Sequence, residues 1–215
     1  TTGFPVTLAL ATAFSLFGVS LEAESIVMLI FMLLFYFVLF IYTRKVFGKF
    51  TGWLSFMLLV FFGPLYGHVR NVLGEIPGLL FIILALLPLV GERPLAKSRA
   101  LTVGLGAGLA FATKPIFILF LAALLIVMIL RRQEYNFSEA VIFGTIGAIV
   151  PIALWIATQF DGVVLARIFE VYTNPHDVNM KAAIVANVVR LLTEIKPFYF
   201  LSALLIRVAS YVVRR

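Results

Sequence analysis

The chain has 215 residues, of which 63% are hydrophobic and 13% are charged. Soluble proteins are roughly half apolar and about one-quarter charged, so this composition disfavours a soluble enzyme, a nucleic-acid-binding domain and a disordered chain, and it predicts an integral membrane protein. The net charge of +7 fits Lys and Arg gathered in cytoplasmic loops, and no nucleic-acid partner is expected. The lack of cysteine excludes disulfides and cysteine-bound metal.

The apolar runs, taken in chain order, predict a bundle of membrane helices. A helix needs about 20 apolar residues to cross a hydrocarbon core of ~30 Å, and Pro5–Phe17 is shorter, which is typical of an interfacial or re-entrant helix. The longer runs are Ser25–Tyr42, Phe50–Gly67, Leu73–Val90, Ala100–Leu130, Ala140–Thr158 and Phe198–Val213. Gly63 and Pro64 interrupt the second of them. The polar segment 160–196 is predicted to be an extracytoplasmic loop.

The run Ala100–Leu130 is long enough for one kinked helix or for two shorter helices that turn at Lys114 and Pro115. Because Lys and Arg concentrate on the cytoplasmic side of a membrane, the positions of the cations favour one of the two interpretations. Two helices place ten of the 17 cations on one side, namely Arg44, Lys45, Lys49, Arg93, Lys97, Arg99, Arg131, Arg132, Arg214 and Arg215. One helix would move Arg131 and Arg132 to the other side.

These runs therefore predict an all-α polytopic membrane helix bundle, with about seven spans plus a short interfacial N-terminal helix. Residues 1–24 and 160–196 are expected to be extracytoplasmic and Arg215 cytoplasmic. We expect residues 1–215 to form a single transmembrane domain of a longer protein. The chain begins with Thr1 rather than Met, and it ends on two arginines directly after an apolar run.

Two ionisable residues at the predicted outer membrane edge are candidates for a functional role. A charge at the centre of a membrane helix costs roughly 2.5–3.5 kcal/mol, so such residues are functional candidates by default. Glu75 is either part of a site or a carboxylate that stabilises the start of its helix. Lys114 is either part of a site or a cation that extends to the membrane interface. His68 and Arg207 are interpreted as interfacial and snorkelling side chains.

Two further motifs of the chain contain residue types that are common in binding sites. Gly104–Gly108 has the spacing of small residues found where membrane helices pack closely, and this interpretation is stronger than a phosphate-binding loop because no strand precedes it. The segment Thr173–Asp177 is a turn-like polar cluster in the predicted outer loop. Its His176 is a candidate substrate contact by location alone. No metal-ligand spacing is recognisable, so a requirement for a divalent metal is undetermined.

The order of these features resembles that of the C-type glycosyltransferases that use polyprenyl-phosphate-linked sugars, a superfamily that includes protein mannosyltransferases and the aminoarabinose transferase of lipid A. The resemblance is carried by Leu16–Ser20, Arg70–Pro77, Gly104–Pro115 and Lys196–Leu201. Of these, Arg70–Pro77 is similar to the acidic motif at the membrane edge of the family. The chain departs from the family pattern at Glu24, where many members have Arg, and at Gly3–Pro5, which lacks Lys-Pro-Pro.

The resemblance implies that a sugar moves from a polyprenyl-phosphate carrier to an acceptor on the extracytoplasmic face. Such a reaction needs a carboxylate to take the acceptor's proton and cations to stabilise the departing phosphate. By resemblance, Glu75 is the catalytic candidate as a second acidic residue, Arg70 and Lys114 bind the lipid phosphate, and Asn71 joins His176 as a substrate contact. In relatives the key acid precedes the region of Thr1, so residues 1–215 alone are expected to be inactive.

Two other functions remain open at this point. In a transporter or channel subunit, Glu75, Lys114 and Arg207 would line a polar path. No inverted repeat is visible, however, and the candidate charges are predicted to cluster at one face of the membrane rather than at its midplane. The third interpretation is a non-catalytic membrane scaffold that packs through its glycines.

Overall fold

The structure is a computed structural model, and it describes residues 3–63, 65–66, 74–91, 95–130, 132, 136–159 and 185. The chain divides into two compact units, 1–158 and 159–215. The description below concerns the first unit. The predicted loop 160–196 and the predicted span Phe198–Val213 lie outside the described residues, apart from residue 185.

The described part of the chain is all helical and contains no strand. Its seven α-helices are α1 Phe4–Phe17, α2 Leu21–Phe47, α3 Lys49–Val60, α4 Glu75–Leu86, α5 Lys97–Thr113, α6 Ile118–Leu130 and α7 Phe137–Gln159. Short 3₁₀ turns follow α4 at Leu87–Leu89 and precede α6 at Pro115–Phe117. The all-α prediction is confirmed for these residues.

The longest helix, α2, has conventional signals at both ends. The side chain of Ser20 accepts a hydrogen bond from the amide of Ala23 at 3.1 Å, which satisfies one of the free amides of the first turn. Acidic residues occupy the first turn and Arg44 and Lys45 the last, as the helix dipole favours. Gly48, at φ 93°, then separates α2 from α3 by a single residue.

Two hydrophobic clusters hold the larger part of the bundle together. One cluster joins α2 and α4 with the residues that follow α3, through buried side chains that include Met32, Phe35, Leu65 and Leu80. The other joins α4, α5, α6 and α7, and its buried members are Ala85, Leu95, Ala100, Val103, Ala107, Leu124, Met128 and Ala140. Helix α5 contributes mainly small side chains to this second cluster, so its neighbours approach its backbone closely.

The glycines of α5 are the points of closest approach. A β carbon at Gly104 would overlap the carbonyl of Gly144 in α7, and one at Gly108 would lie 2.8 Å from the carbonyl oxygen of Ala148. On another face, a β carbon at Gly106 would lie 2.9 Å from the amide nitrogen of Ala85 in α4. The prediction that the Gly104–Gly108 segment serves close helix packing is therefore confirmed.

The run 100–130 is divided into two helices, as the positions of the cations predicted. Helix α5 ends at Thr113, and α6 begins at Ile118 after the 3₁₀ turn. Because Leu124 and Met128 of α6 belong to the same buried cluster as Ala100 and Val103 of α5, α6 runs back along α5. The turn at Lys114 and Pro115 is thus the tip of a helical hairpin.

Two described helices are long and apolar enough to cross a membrane, Leu21–Phe47 and the Phe137–Thr158 part of α7. Four other apolar helical segments have 10–17 residues. The runs predicted as spans at Phe50–Gly67 and Leu73–Val90 hold shorter helices, since α3 has 12 residues and α4 has 12. The number of seven spans stays a prediction.

Candidate functional site

The candidate site is an ion pair between two helix ends. The Lys114 ammonium at the end of α5 donates a hydrogen bond to Oε1 of Glu75 at the start of α4. The two side chains are 24% and 29% exposed, so the pair is largely but not fully removed from the surface. The two residues are 39 positions apart in the chain, and antiparallel packing of α4 and α5 brings them together.

Glu75 is held in place by the start of its helix. Gly74 adopts the left-handed conformation at φ 74°, which turns the chain into α4, and its carbonyl accepts the first helical hydrogen bond from Gly78 at 3.0 Å. Ile76 and Pro77, the next two residues of the helix, are buried. A carboxylate in the first turn is favoured by the positive end of the helix dipole.

Lys114 is the residue at which α5 stops. Its backbone is extended, at φ −154° and ψ 117°, because the ring of Pro115 disfavours a helical conformation in the residue before it. Its carbonyl then accepts a hydrogen bond from Phe117 at 3.0 Å, which closes the 3₁₀ turn. A cation at this end of α5 is also favoured by the helix dipole.

The turn after Lys114 is anchored to α4 by an aromatic ring. The ring of Phe117 lies where a β carbon of residue 78 would be, so it packs directly on the backbone of Gly78. Gly78 is three residues after Glu75, and Phe117 is three residues after Lys114. The apolar contact therefore fixes the spacing of the two helix ends that carry the ion pair.

The N-terminal end of α1 reaches the same place. The amide of Gly3 donates a hydrogen bond to the carbonyl of Thr113 at 2.8 Å, and a β carbon at Gly3 would overlap the carbonyl of Ala112. Thr113 is fully buried beneath this contact. Three helix ends, those of α1, α4 and α5, thus converge next to Lys114.

An apolar cavity of about 390 Å³ begins beside the turn. It lies between α5, α6 and α7, and its lining includes Gly104, Ala107, Ile118, Leu121, Met128 and Gly144. Ile118 is four residues from Lys114, and Met128 is near the far end of α6. The cavity therefore runs along the α5–α6 hairpin, with Ile118 as its lining residue nearest in sequence to Lys114.

A second ion pair provides a useful contrast. Lys97 at the start of α5 and Glu139 in the first turn of α7 are 3.4 Å apart, with side chains 59% and 44% exposed. The Lys97 ammonium also lies 5.5 Å from the centre of the Phe143 ring. An exposed pair of this kind contributes roughly 0–1 kcal/mol to stability, and it occupies the opposite end of α5 from Lys114.

Comparison with known proteins identifies the family. Residues 4–158, more than half of the chain, match the sequence profile of the dolichyl-phosphate-mannose-protein mannosyltransferase family. The chain belongs to this family. No curated protein and no solved structure matches the chain.

Membership of the mannosyltransferase family confirms the resemblance to C-type glycosyltransferases. The family indicates a membrane glycosyltransferase that takes its sugar from a lipid-linked donor. The matched residues include Glu75, Lys114 and every α-helix of the first unit up to residue 158. The two apolar helices that are long enough to span agree with a membrane location for this family member.

The structure brings together two of the five residues predicted for the site, Glu75 and Lys114. The other three, Arg70, Asn71 and His176, lie outside the described residues, as does His68. The sequence singles out Glu75 and Lys114 separately, but it does not predict their pairing or the contribution of Gly3 and Phe117. Among the described residues there is no cluster of three His, Cys, Asp or Glu side chains that would hold a metal ion.

Proposed function

We propose that the full-length protein transfers a sugar from a polyprenyl-phosphate carrier to an acceptor on the extracytoplasmic face of the membrane, and that Glu75 and Lys114 lie at the site of transfer. The family match supports the reaction class. The observation that carries the placement is the partly buried ion pair, which puts a cation and a carboxylate at the tip of the hairpin whose two helices line an apolar cavity. Arg70, Asn71 and His176 are proposed as further contacts of the phosphate and the substrates.

The chemistry requires few groups from the protein. An oxygen of the acceptor attacks the anomeric carbon, a carboxylate takes the acceptor's proton, and the bond from the anomeric carbon to the phosphate oxygen breaks. The electron pair of that bond leaves with the lipid phosphate, so negative charge develops there in the transition state. A fixed cation at this position lowers the barrier, because it stabilises the charge where it develops.

Lys114 is proposed as that cation and Glu75 as the residue that positions it. An ammonium has three N–H donors, and one of them is directed to Glu75. The remaining two N–H groups could donate to phosphate oxygens. Without the carboxylate, the flexible four-carbon side chain would have many alternative rotamers. Glu75 thus holds the ammonium in one position before the donor binds.

The carrier's isoprenoid chain is proposed to lie in the cavity between α5, α6 and α7. The cavity has an almost entirely apolar lining and begins four residues from Lys114, at Ile118. The tail of a lipid whose phosphate lies at Lys114 would follow the apolar turn Pro115–Phe117 to reach this cavity. Burial of the tail would supply binding energy that is independent of the reacting sugar.

The test is substitution of the pair in the full-length protein, with two readouts. Binding is measured with dolichyl-phosphate mannose, and turnover is measured in native membranes as release of dolichyl phosphate. Removing a charge-stabilising donor lowers turnover by about 100-fold or more in enzymes of known mechanism, and this is the result expected for Lys114→Met. Glu75→Gln is expected to lower turnover by about tenfold, and Glu75→Asp by less, because the charge is retained.

The charge swap Glu75→Lys with Lys114→Glu separates function from folding. If the pair only joins α4 to α5, the swap restores both stability and turnover. If Lys114 faces a phosphate, the swap restores thermal stability relative to the single variants but leaves the protein inactive, because a carboxylate now faces the phosphate. Recovery of activity in the swap would contradict the proposed roles.

The exposed pair at the other end of α5 is the matched control. Lys97→Met and Glu139→Gln remove the same charges from the same two residue types, between helices of the same bundle. Both variants are expected to bind donor and to turn over as the parent does. Equal losses at the two pairs would assign the effect to general destabilisation.

A further inference from the structure

The hairpin of α2 and α3 carries an aromatic groove that the transfer reaction does not use. The groove has a volume of about 460 Å³, which is within the range of roughly 300–1,000 Å³ typical of ligand sites. Six of its lining residues are aromatic, namely Tyr36, Phe37, Phe40, Trp53, Phe56 and Tyr66. It lies against α2, one of the two helices long enough to cross a membrane.

The rings of the groove support one another. Phe40 and Trp53 have ring centres 4.9 Å apart, and Phe56 lies 6.0 Å from Trp53 and 6.2 Å from Tyr36. The two tyrosine hydroxyls donate hydrogen bonds to backbone carbonyls of α3, Tyr36 to Leu59 and Tyr66 to Val60. Because both hydroxyls are hydrogen-bonded in this way, the rings contribute mainly apolar surface to the groove. The groove therefore offers preformed, apolar ring faces.

Three exposed cations stand at one end of this groove. Arg44 and Lys45 are in the last turn of α2, and Lys49 is the first residue of α3. Gly48 joins the two helices directly, so the three charges lie within six consecutive residues. The two ion pairs of the described chain are formed by Lys97 and Lys114, so none of the three is paired with a described carboxylate.

The positions of cations and rings are matched along both helices. Phe40 precedes Arg44 by four residues, and Trp53 follows Lys49 by four. Four residues are close to one helical turn, about 5.4 Å, so each ring lies on the same face as its cation and one turn further from the hairpin tip. A ligand that fits this order has an anionic head and an apolar tail.

We propose that this surface binds one anionic phospholipid, with its phosphate at Arg44, Lys45 and Lys49 and an acyl chain in the aromatic groove. Charge complementarity favours an anionic over a zwitterionic headgroup. The rings favour a lipid over a soluble phosphate, since Phe37 and Trp53 are 62% and 49% exposed and would face the acyl region of a bilayer. The proposal does not depend on the transferase reaction.

Tryptophan quenching by brominated lipids tests the proposal. The chain has two tryptophans, and Trp155→Phe leaves Trp53 as the reporter within the groove. The protein is reconstituted in phosphatidylcholine vesicles that contain a minor fraction of either brominated phosphatidylglycerol or brominated phosphatidylcholine. We expect phosphatidylglycerol to be enriched at Trp53 by about fivefold or more, as attraction of three cations to an anionic headgroup implies. Equal quenching by the two lipids would overturn the proposal.

The complementary reporter shows whether the preference is local. Trp53→Phe leaves Trp155, which packs against Phe111 of α5 at 5.3 Å between ring centres. Bulk attraction of anionic lipid to a protein of net positive charge would enrich phosphatidylglycerol at both tryptophans. The proposal requires that Trp155 shows little preference. The same enrichment at both reporters would therefore contradict it.

Charge variants locate the headgroup. The triple substitution Arg44→Gln, Lys45→Gln and Lys49→Gln should abolish the preference for phosphatidylglycerol over phosphatidylcholine at Trp53. The control variant Lys97→Gln with Arg132→Gln should leave this preference unchanged. Quenching by brominated phosphatidylcholine serves as the folding control, since a misfolded hairpin would alter it too. If the triple variant misfolds, the double variant Lys45→Gln with Lys49→Gln replaces it and is expected to lower the preference for phosphatidylglycerol partly. Millimolar glycerol 3-phosphate should not compete. Competition by this soluble phosphate would overturn the assignment to a lipid.

Discussion

The carbonyl of Gly144 in α7 occupies the place where a side chain of residue 104 in α5 would begin. The relationship is not reciprocal, because the nearest described atom to a β carbon on Gly144 would be the carbonyl oxygen of Ala100, at an ordinary distance of 3.7 Å. Of the two facing glycines, only Gly104 is required by the contact. At this contact the close approach therefore requires a glycine only in α5, whereas at Gly147 it requires one in α7, because a β carbon there would overlap the carbonyl of Leu101.

Gly104→Ala is predicted to be strongly destabilising. The new methyl group meets a backbone carbonyl, which cannot rotate away as a side-chain end can, so the helices must separate. Overpacking of this kind costs roughly 1–3 kcal/mol. Thermal unfolding of the purified protein in detergent measures the effect. Gly144→Ala is the matched control and should unfold within a few degrees of the parent; a larger loss for Gly144→Ala than for Gly104→Ala would contradict the geometry.

Gly78→Ala is predicted to lower donor turnover while the fold is retained. The added methyl group displaces the Phe117 ring, and the displacement is transmitted through three residues to Lys114. A misplacement of about 1 Å in a reacting group lowers the rate by as much as ~100-fold. The double variant Gly78→Ala with Phe117→Leu provides room and should recover part of the turnover. If turnover is unaffected by Gly78→Ala, the ring does not control the position of Lys114.

Gly3→Ala is predicted to release the start of α1 from α5. A β carbon there overlaps the carbonyl of Ala112, so the hydrogen bond from the amide of Gly3 to Thr113 must lengthen or break. Hydrogen exchange of the first turn of α1 should become faster, with little change in α4. Gly63→Ala is the control, since no described atom lies within 4 Å of its β position. Unchanged hydrogen exchange in Gly3→Ala would contradict a close contact of Gly3 with Ala112 and Thr113.

Cysteine labelling tests the predicted sidedness, because the chain has no natural cysteine. Val19 is 86% exposed between α1 and α2, and Asn136 precedes α7. The distribution of cations predicts that Val19→Cys reacts only from outside and Asn136→Cys only from the cytoplasm. An impermeant maleimide applied to right-side-out and inverted vesicles distinguishes the two. Labelling of both cysteines from the same side would contradict the predicted topology.

Part of this fold was readable from sequence because its signals are local. The break at Lys114 follows from the proline after it, and the close packing at Gly104 follows from the spacing of small residues. The end of α3 was not readable. The sequence predicts a run over Phe50–Gly67 that Gly63 and Pro64 interrupt, whereas the helix already ends at Val60. Phe61 and Phe62 are as apolar as the residues before them, so hydropathy contains no sign of the stop.

The pairing of Glu75 with Lys114 could not be predicted, although each residue was singled out. Hydropathy measures the free energy of transfer of one side chain, and it carries no information about which charges meet across two helices. That depends on the register of α4 against α5, which is set by the approach of Gly106 to Ala85. An isolated charge and a charge that is paired across helices have the same sequence signature.

Gly48 has a consequence for the order in which the molecule is assembled. Its φ of 93° with ψ of 170° is a conformation that is essentially restricted to glycine, and it reverses the chain between α2 and α3 without a loop. The segment 44–49 needs no distant part of the chain to bring its three cations together. They become neighbours as soon as this one hairpin forms, even while the second unit of the protein is still on the ribosome.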